Sequence, residues 1–256
     1  MFKVTPIPAF NDNYIWLIHK PGYGSAVVDP GDADPVIRFL ESHDLTLDAI
    51  LITHHHADHT GGVQKLLSRY QVPVYGPHNS PFDGITHPLA SGDTLDLFGE
   101  QLEIQAVPAH TLDHISYFKP EGQPQLFCGD TLFMAGCGRL FEGTAAQMFK
   151  AMSYFSSLPD NTEVYCTHEY TLSNLAFAQA VEPDNAMIAA TIERCRELRA
   201  RQEPTLPSRI DQERNINPFM RTSQISVRSA AETHEGQPLT SEVEVLASLR
   251  EWKNHF

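Results

Sequence analysis

Short apolar runs separated by turn residues dominate the first two-thirds of the chain. Residues 2–7, 14–18 and 25–29 predict strands, with Asn11-Asp12-Asn13 and Pro21-Gly22 as the turns between them. Residues 34–43 predict a helix, because Val36, Ile37 and Leu40 fall on one face. The continuous apolar run 47–52 suits a strand buried on both faces. Residues 62–70 predict a second helix with Thr60 as its N-cap, and 73–75 a further strand. Residues 77–91, rich in His, Pro, Gly and Asp, read as a long loop. Strands resume at 101–107, 115–118 and 125–128, the last two pairing as a hairpin. Residues 145–157 predict a helix and 163–167 a strand. Beyond His168 the pattern turns helical, over 172–181 and 186–201, the latter with Ile188, Ile192, Cys195 and Leu198 at helical spacing. Residues 203–237 read as polar and irregular. Ser241 and Glu244 then form a capping-box pattern before a last helix carrying Leu246, Leu249 and Phe256. The change of character places a boundary near residue 165, between a strand-rich domain (1–165) and a helical one (166–256).

Bulk properties narrow the partners. The formal net charge of −14 over 256 residues argues against nucleic acid or an anionic membrane. No apolar run approaches the roughly 20 residues of a membrane span, and MFKVTPIPAF lacks the apolar core of a signal peptide. Cys128, Cys137, Cys166 and Cys195 are widely spaced without a CxxC, which fits reduced thiols better than disulfides. A cytoplasmic monomer is the expectation.

The chemistry is concentrated in histidine and aspartate. Straight after the run 47–52 come His54, His56, Asp58 and His59, four metal-ligand types crowded where a strand should end. Such a cluster desolvates badly without a cation to share. His110, Asp130 and His168 each follow another strand-like run. Ligands at the ends of separate strands are expected to meet at one sheet edge. Seven ligands exceed one four-coordinate site and serve two metals if a carboxylate bridges. With no cysteine in the set, the donors suit zinc, iron or manganese. His55, between two ligands, should point away from them. His114 is either a hydrogen-bonding neighbour of a ligand or a buried structural residue. Asp29 either orients a ligand imidazole or forms the turn before Pro30-Gly31. His19, His43, His78, His87, His234 and His255 read as surface or loop residues, and Cys137 as a small buried thiol.

His54-His55-His56-Ala57-Asp58-His59 resembles the HxHxDH signature of the metallo-β-lactamase fold. The segments Ala109-His110-Thr111, Phe127-Cys128-Gly129-Asp130-Thr131-Leu132-Phe133, Gly136-Cys137-Gly138-Arg139-Leu140-Phe141-Glu142-Gly143 and His168-Glu169-Tyr170-Thr171 are similar to those of glyoxalase II, the hydroxyacylglutathione hydrolases. The resemblance runs from the first strand to the last helix. It implies an α/β fold: a four-layer αββα metallo-β-lactamase sandwich with a C-terminal all-helical domain.

The resemblance also implies hydrolysis of S-(2-hydroxyacyl)glutathione, such as S-lactoylglutathione, in methylglyoxal detoxification. Two divalent ions are implied, zinc first, with iron or manganese as alternatives. His54, His56 and His110 would hold the first. Asp58, His59 and His168 would hold the second, with Asp130 bridging. Asp58 and Asp130 are the implied catalytic carboxylates. Arg139, Phe141, Tyr170, Arg250 and Lys253 are the implied glutathione contacts, Arg250 and Lys253 sharing a helix face. The chain departs from the family at Asp113, where glycine is usual, and at Phe141, where tyrosine is frequent. The rival readings are another hydrolase of the same fold and a mononuclear iron dioxygenase acting on glutathione persulfide. The filled second set, Asp58, His59 and His168, argues against the latter.

Overall fold

In the computed structural model, which describes residues 1–256, the chain divides into two compact units. The first comprises Met1–Ala106, Asp113–Gly129 and Tyr165–His168. It opens with β1 (Lys3–Ala9), β2 (Asn13–Lys20) and β3 (Gly24–Val28), paired antiparallel. Helix α1 (Ala33–Ser42) follows, capped by Asp32, whose carboxylate accepts the Asp34 N–H. Next come β4 (Ala49–Leu51), the short helices α2 (Ala57–Thr60) and α3 (Val63–Leu67), β5 (Val74–Pro77) and β6 (His87–Leu89). β3 to β6 pair parallel, so the six-stranded sheet is mixed. The continuous apolar run is short central β4, buried throughout as its composition requires. Val36 and Leu40 of α1 and Val63 and Leu66 of α3 pack with Val27, Ile50 and Val74 in one core.

β7 (Thr94–Leu97), β8 (Glu100–Ala106), β9 (Ile115–Lys119) and β10 (Gln125–Gly129) build an antiparallel ladder in this unit. The expected β9–β10 hairpin is present. Tyr117 Oη on β9 donates to Ile52 O (2.8 Å), and Ile115 N donates to Thr53 O (2.9 Å). These bonds join the ladder to the chain leaving β4 and give the ligand loop a fixed base. Trp16 Nε1 similarly donates to Cys166 O (2.9 Å).

The second unit comprises Val107–Leu112, Asp130–Val164 and Glu169–Phe256. It holds the two-residue strands β11 (Leu132–Phe133) and β12 (Gly136–Cys137), and α4 (Ala145–Ser156) with a Thr144/Gln147 capping box. The start of β13 (Glu163–Cys166) pairs with β14 (Ser208–Arg209). The helices are α5 (Thr171–Val181), α6 (Ala186–Ala200), α7 (Ile210–Ile216), α8 (Ile225–Glu235) and α9 (Glu242–Asn254), with a 3₁₀ turn at Pro218–Met220. Phe155, Phe177, Ile188, Ile210, Phe219 and Leu246 are among their buried residues.

Several expectations are corrected. Thr60 does not cap a helix; it ends α2, and its hydroxyl donates to the carbonyls of His55 and His56. The helix expected over 62–70 is short and preceded by α2. Gly61 and Gly62 separate the two, where a Cβ on Gly62 would lie 2.4 Å from Pro30 O. The loop read over 77–91 contains β6, whose pairing with β5 is a tertiary contact that composition does not signal. Residues 203–237 are mostly ordered as β14, α7, the 3₁₀ turn and α8. Phe256 lies beyond the end of α9 and is exposed. The Ser241/Glu244 capping box is present as expected. All four cysteines are buried, and none forms a disulfide.

Candidate metal centre

Each segment carrying an expected ligand follows a strand: His54–His59 after β4, His110 after β8, Asp130 after β10 and His168 after β13. In the first unit, close packing of backbone on backbone sets the ligand loop. Asp29, at φ +52°, turns the chain so that Gly31 meets α2; a Cβ on Gly31 would lie 1.8 Å from Asp58 O. The Asp29 carboxylate accepts the Thr53 N–H (2.7 Å) and the Thr53 hydroxyl (2.7 Å), and its Oδ2 lies 3.0 Å from His59 Nδ1. Asp29 forms the turn before Pro30-Gly31, and its carboxylate also stands beside the His59 ring.

Such a partner on one ring nitrogen fixes the tautomer and directs the other nitrogen's lone pair away from it. His168 Nδ1 is likewise 2.8 Å from Asp12 Oδ1. His54 Nδ1 faces Thr53 Oγ1 at 3.0 Å. The remaining nitrogens, Nε2 of His59 and of His168, lie 3.6 and 3.4 Å from Asp58 Oδ2. His54 Nε2 is 3.1 Å from His56 Nδ1. Asn13 Nδ2 donates to Asp58 Oδ2 (3.1 Å) and restrains that carboxylate.

In the second unit His110 Nδ1 lies 2.9 Å from Arg139 O, and its Nε2 lies 3.5 Å from Asp130 Oδ2. Gly138 is required here: a Cβ would come within 2.0 Å of Asp130 O.

These spacings test a metal. Donors bound tetrahedrally at roughly 2.0–2.1 Å sit about 3.3 Å from one another. The separations within each unit bracket that value, and the set is imidazole and carboxylate alone. Asp58, His59 and His168 bring their ligand atoms within 4.8 Å of one another. The residues fit a divalent cation.

His55 points elsewhere, as expected: its Nδ1 lies 2.9 Å from Asp113 Oδ1. Ser80 Oγ donates to the other Asp113 oxygen (2.8 Å). The carboxylate in place of the family glycine is thus buried and satisfied. His114 is fully buried, its ring stacked on His54 with centroids 4.6 Å apart.

The implied substrate residues all lie in the second unit. Phe141 is exposed, with its ring 5.2 Å from that of His110. Tyr170 is 38 % exposed beside Phe133. Arg250 is buried and donates to Cys137 O (2.7 Å), so part of its guanidinium serves the fold. Lys253 stands over the Phe177 ring at 5.2 Å. Burial first, then the Arg250 charge, pushes its pKa down to about 8. Asp12 and Asn13 have the pattern of plain turn residues in the sequence, yet they meet His168 and Asp58. Nothing local in Asn11-Asp12-Asn13 points to position 168.

Fold and ligand set together define a metallo-β-lactamase-fold protein. Residues 10–190 match the family model of the metallo-beta-lactamase superfamily. ETHE1 from Myxococcus xanthus shares the fold at 24% identity and a TM-score of 0.67, over 98% of this chain and 91% of that one. TTHA1623, solved in a di-iron-bound form, is 28% identical with a TM-score of 0.56, over 64% of this chain and 91% of that one. Residues 169–256 match the model for the hydroxyacylglutathione hydrolase C-terminus. Hydroxyacylglutathione hydrolases of Aliivibrio fischeri and Hahella chejuensis are 52% and 51% identical to this chain, covering 100% of both partners. The chain belongs to the hydroxyacylglutathione hydrolases, thioester hydrolases with an αββα sandwich and a helical C-terminal region. No helix is long and apolar enough to cross a membrane.

Proposed function

We propose that this chain hydrolyses S-(2-hydroxyacyl)glutathione, represented by S-lactoylglutathione, to a 2-hydroxy acid and glutathione, and so takes part in methylglyoxal detoxification in the cytoplasm. The observation that carries the substrate class is the family-specific match over residues 169–256, which contain Tyr170, Arg250 and Lys253.

In this reading His54, His56 and His110 would hold one divalent cation and Asp58, His59 and His168 a second, with Asp130 serving both. Zinc is the metal we favour. Iron or manganese suits the same donors, and TTHA1623 takes a di-iron-bound form. When bound, the cations supply Lewis acidity and bring the pKa of bound water towards neutrality.

The chain's own groups do the rest. Asp12 faces His168 Nδ1 at 2.8 Å and the Asp29 carboxylate lies 3.0 Å from His59 Nδ1, which would leave Nε2 of each ring to a cation. Asp58, steadied by Asn13, can also accept a proton from the attacking water. Lys253 and Arg250 bring positive charge to the glutathione carboxylates in a chain of net charge −14. Arg139, Phe141 and Tyr170 line the same moiety. The departing thiolate has a conjugate-acid pKa of about 8.5, so it leaves without a protein acid.

Metal analysis combined with thiol release from S-lactoylglutathione tests this reading. Two metals per chain and rapid thiol release are expected. A single iron with oxygen uptake and no thiol release would overturn it in favour of a dioxygenase.

A further inference from the structure

The β11–β12 hairpin is too short to hold its own shape. Its ladder is limited to Leu132↔Cys137 and Phe133↔Gly136. Side chains from elsewhere in the second unit satisfy its backbone. Asn174 Nδ2 donates to Met134 O (3.1 Å). Asn217 Nδ2 reaches Phe133 O (3.2 Å) and Gly136 O (3.0 Å). Glu213 Oε2 accepts the Ala135 N–H (2.9 Å) and an Asn217 amide hydrogen (3.0 Å). Ala135 is at φ +56°, a left-handed conformation disfavoured for any residue but glycine. Glu213 on α7 is fully buried, an uncommon place for glutamate, and nothing in the metal chemistry uses it.

The hairpin lies between two functional residues. Asp130 stands just before it and Arg139 just after. Its base closes where Gly138 N donates to Thr131 O (3.3 Å). Gly138 also packs directly on the Asp130 carbonyl, and the Arg139 carbonyl orients His110. A change in hairpin shape is therefore passed to both ends.

We propose that Glu213 is a positioning residue for the hydrolase: by taking the Ala135 N–H it holds the hairpin in the shape that places Asp130 and Arg139, although it touches neither. The proposal rests on the function above for the reaction it serves, but not for the geometry. Burial pushes the Glu213 pKa up to about 7, against smaller lowering by the Ser208 hydroxyl, the Ala135 N–H and Asn217. The Cys195 thiol of α6, itself pushed up mainly by burial, also feels the Glu213 charge. A carboxyl that keeps its proton up to neutrality is well copied by an amide, so glutamine should retain both accepted bonds.

The test compares metal content and S-lactoylglutathione kinetics of the metal-loaded wild type, E213Q, E213A and E213A/A135G. E213Q should stay within about twofold of wild type, while E213A should bind less metal and raise KM about tenfold. Glycine at 135 adopts the left-handed conformation unaided, so the double variant should recover much of that loss. A merely structural Glu213 predicts a lower Tm in E213A with unchanged KM and metal content in the folded protein, and no rescue; that result overturns the proposal. If E213A does not fold, A135V replaces it. A β-branched residue resists positive φ, so the same metal and KM changes are expected, and wild-type values would refute the assignment. Absence of thiol release by the wild type would sink the functional reading alone. Metal binding would still decide whether Glu213 positions Asp130.

Discussion

The two units orient their candidate ligand histidines by different means. In the first, carboxylates stand behind the rings: Asp12 at 2.8 Å from His168 Nδ1 and Asp29 at 3.0 Å from His59 Nδ1. In the second, the main chain does it: the Arg139 carbonyl takes His110. A carboxylate fixes direction and also raises the basicity of the imidazole it holds, whereas a carbonyl mainly fixes direction. The first arrangement is exposed to single substitutions. The second cannot be removed by changing a side chain at the contact; it depends on the shape of the 132–137 hairpin.

The comparison breaks most sharply at Asp29. Its carboxylate takes the Thr53 N–H and hydroxyl in a fully buried setting as well as facing His59. Asp29→Ala should cost about 3 kcal/mol through unsatisfied buried donors, together with metal loss. Urea denaturation with metal analysis reads both, and wild-type stability would show that the buried carboxylate is dispensable. Asp12 is part-exposed, so Asp12→Ala should leave folding intact. It should weaken one metal by about 10- to 100-fold, measured by chelator competition. Unchanged affinity would erase the contrast between the two units.

Lys253 sharpens the second unit's role in substrate binding. With its pKa lowered to about 8, the ammonium is charged below that pH and lost above it. KM for the anionic thioester should therefore be lowest below pH 8 and rise several-fold, to roughly tenfold, above it. Lys253→Arg should flatten that rise, because guanidinium stays charged. A KM profile that is flat in the wild type removes Lys253 from the glutathione contacts. The smallest effect is expected at Arg139. Because His110 is oriented by its carbonyl, Arg139→Ala should leave metal content unchanged and raise KM by about threefold. Metal loss in this variant would mean that the side chain matters where the main chain is held responsible.

The recurrence of a candidate ligand after a strand was legible because β4, β10 and β13 are largely buried and show as apolar runs, while β8 shows as an alternation with Leu102 and Ile104 buried. The capping box at Ser241 and Glu244 was legible because both partners lie within one turn. What escaped reading is nonlocal. Asp12 looks like an ordinary turn residue until position 168 is brought beside it. β6 and β11–β12 are too short for a periodic signal. Helix α7, Ile-Asp-Gln-Glu-Arg-Asn-Ile, reads as surface, yet Glu213 is fully buried because the Ala135 N–H and the Asn217 amide await it.

The chain's linear pattern determined the inventory of candidate ligands, the strands that carry them and the helical character of the C-terminal region, since periodicity and residue chemistry are local properties. Tertiary structure alone decided which nitrogen of each histidine is presented, which carboxylates stand behind them, and how far Arg250 serves the fold. Those outcomes depend on contacts between residues far apart in the chain, and such contacts exist only once the backbone has closed.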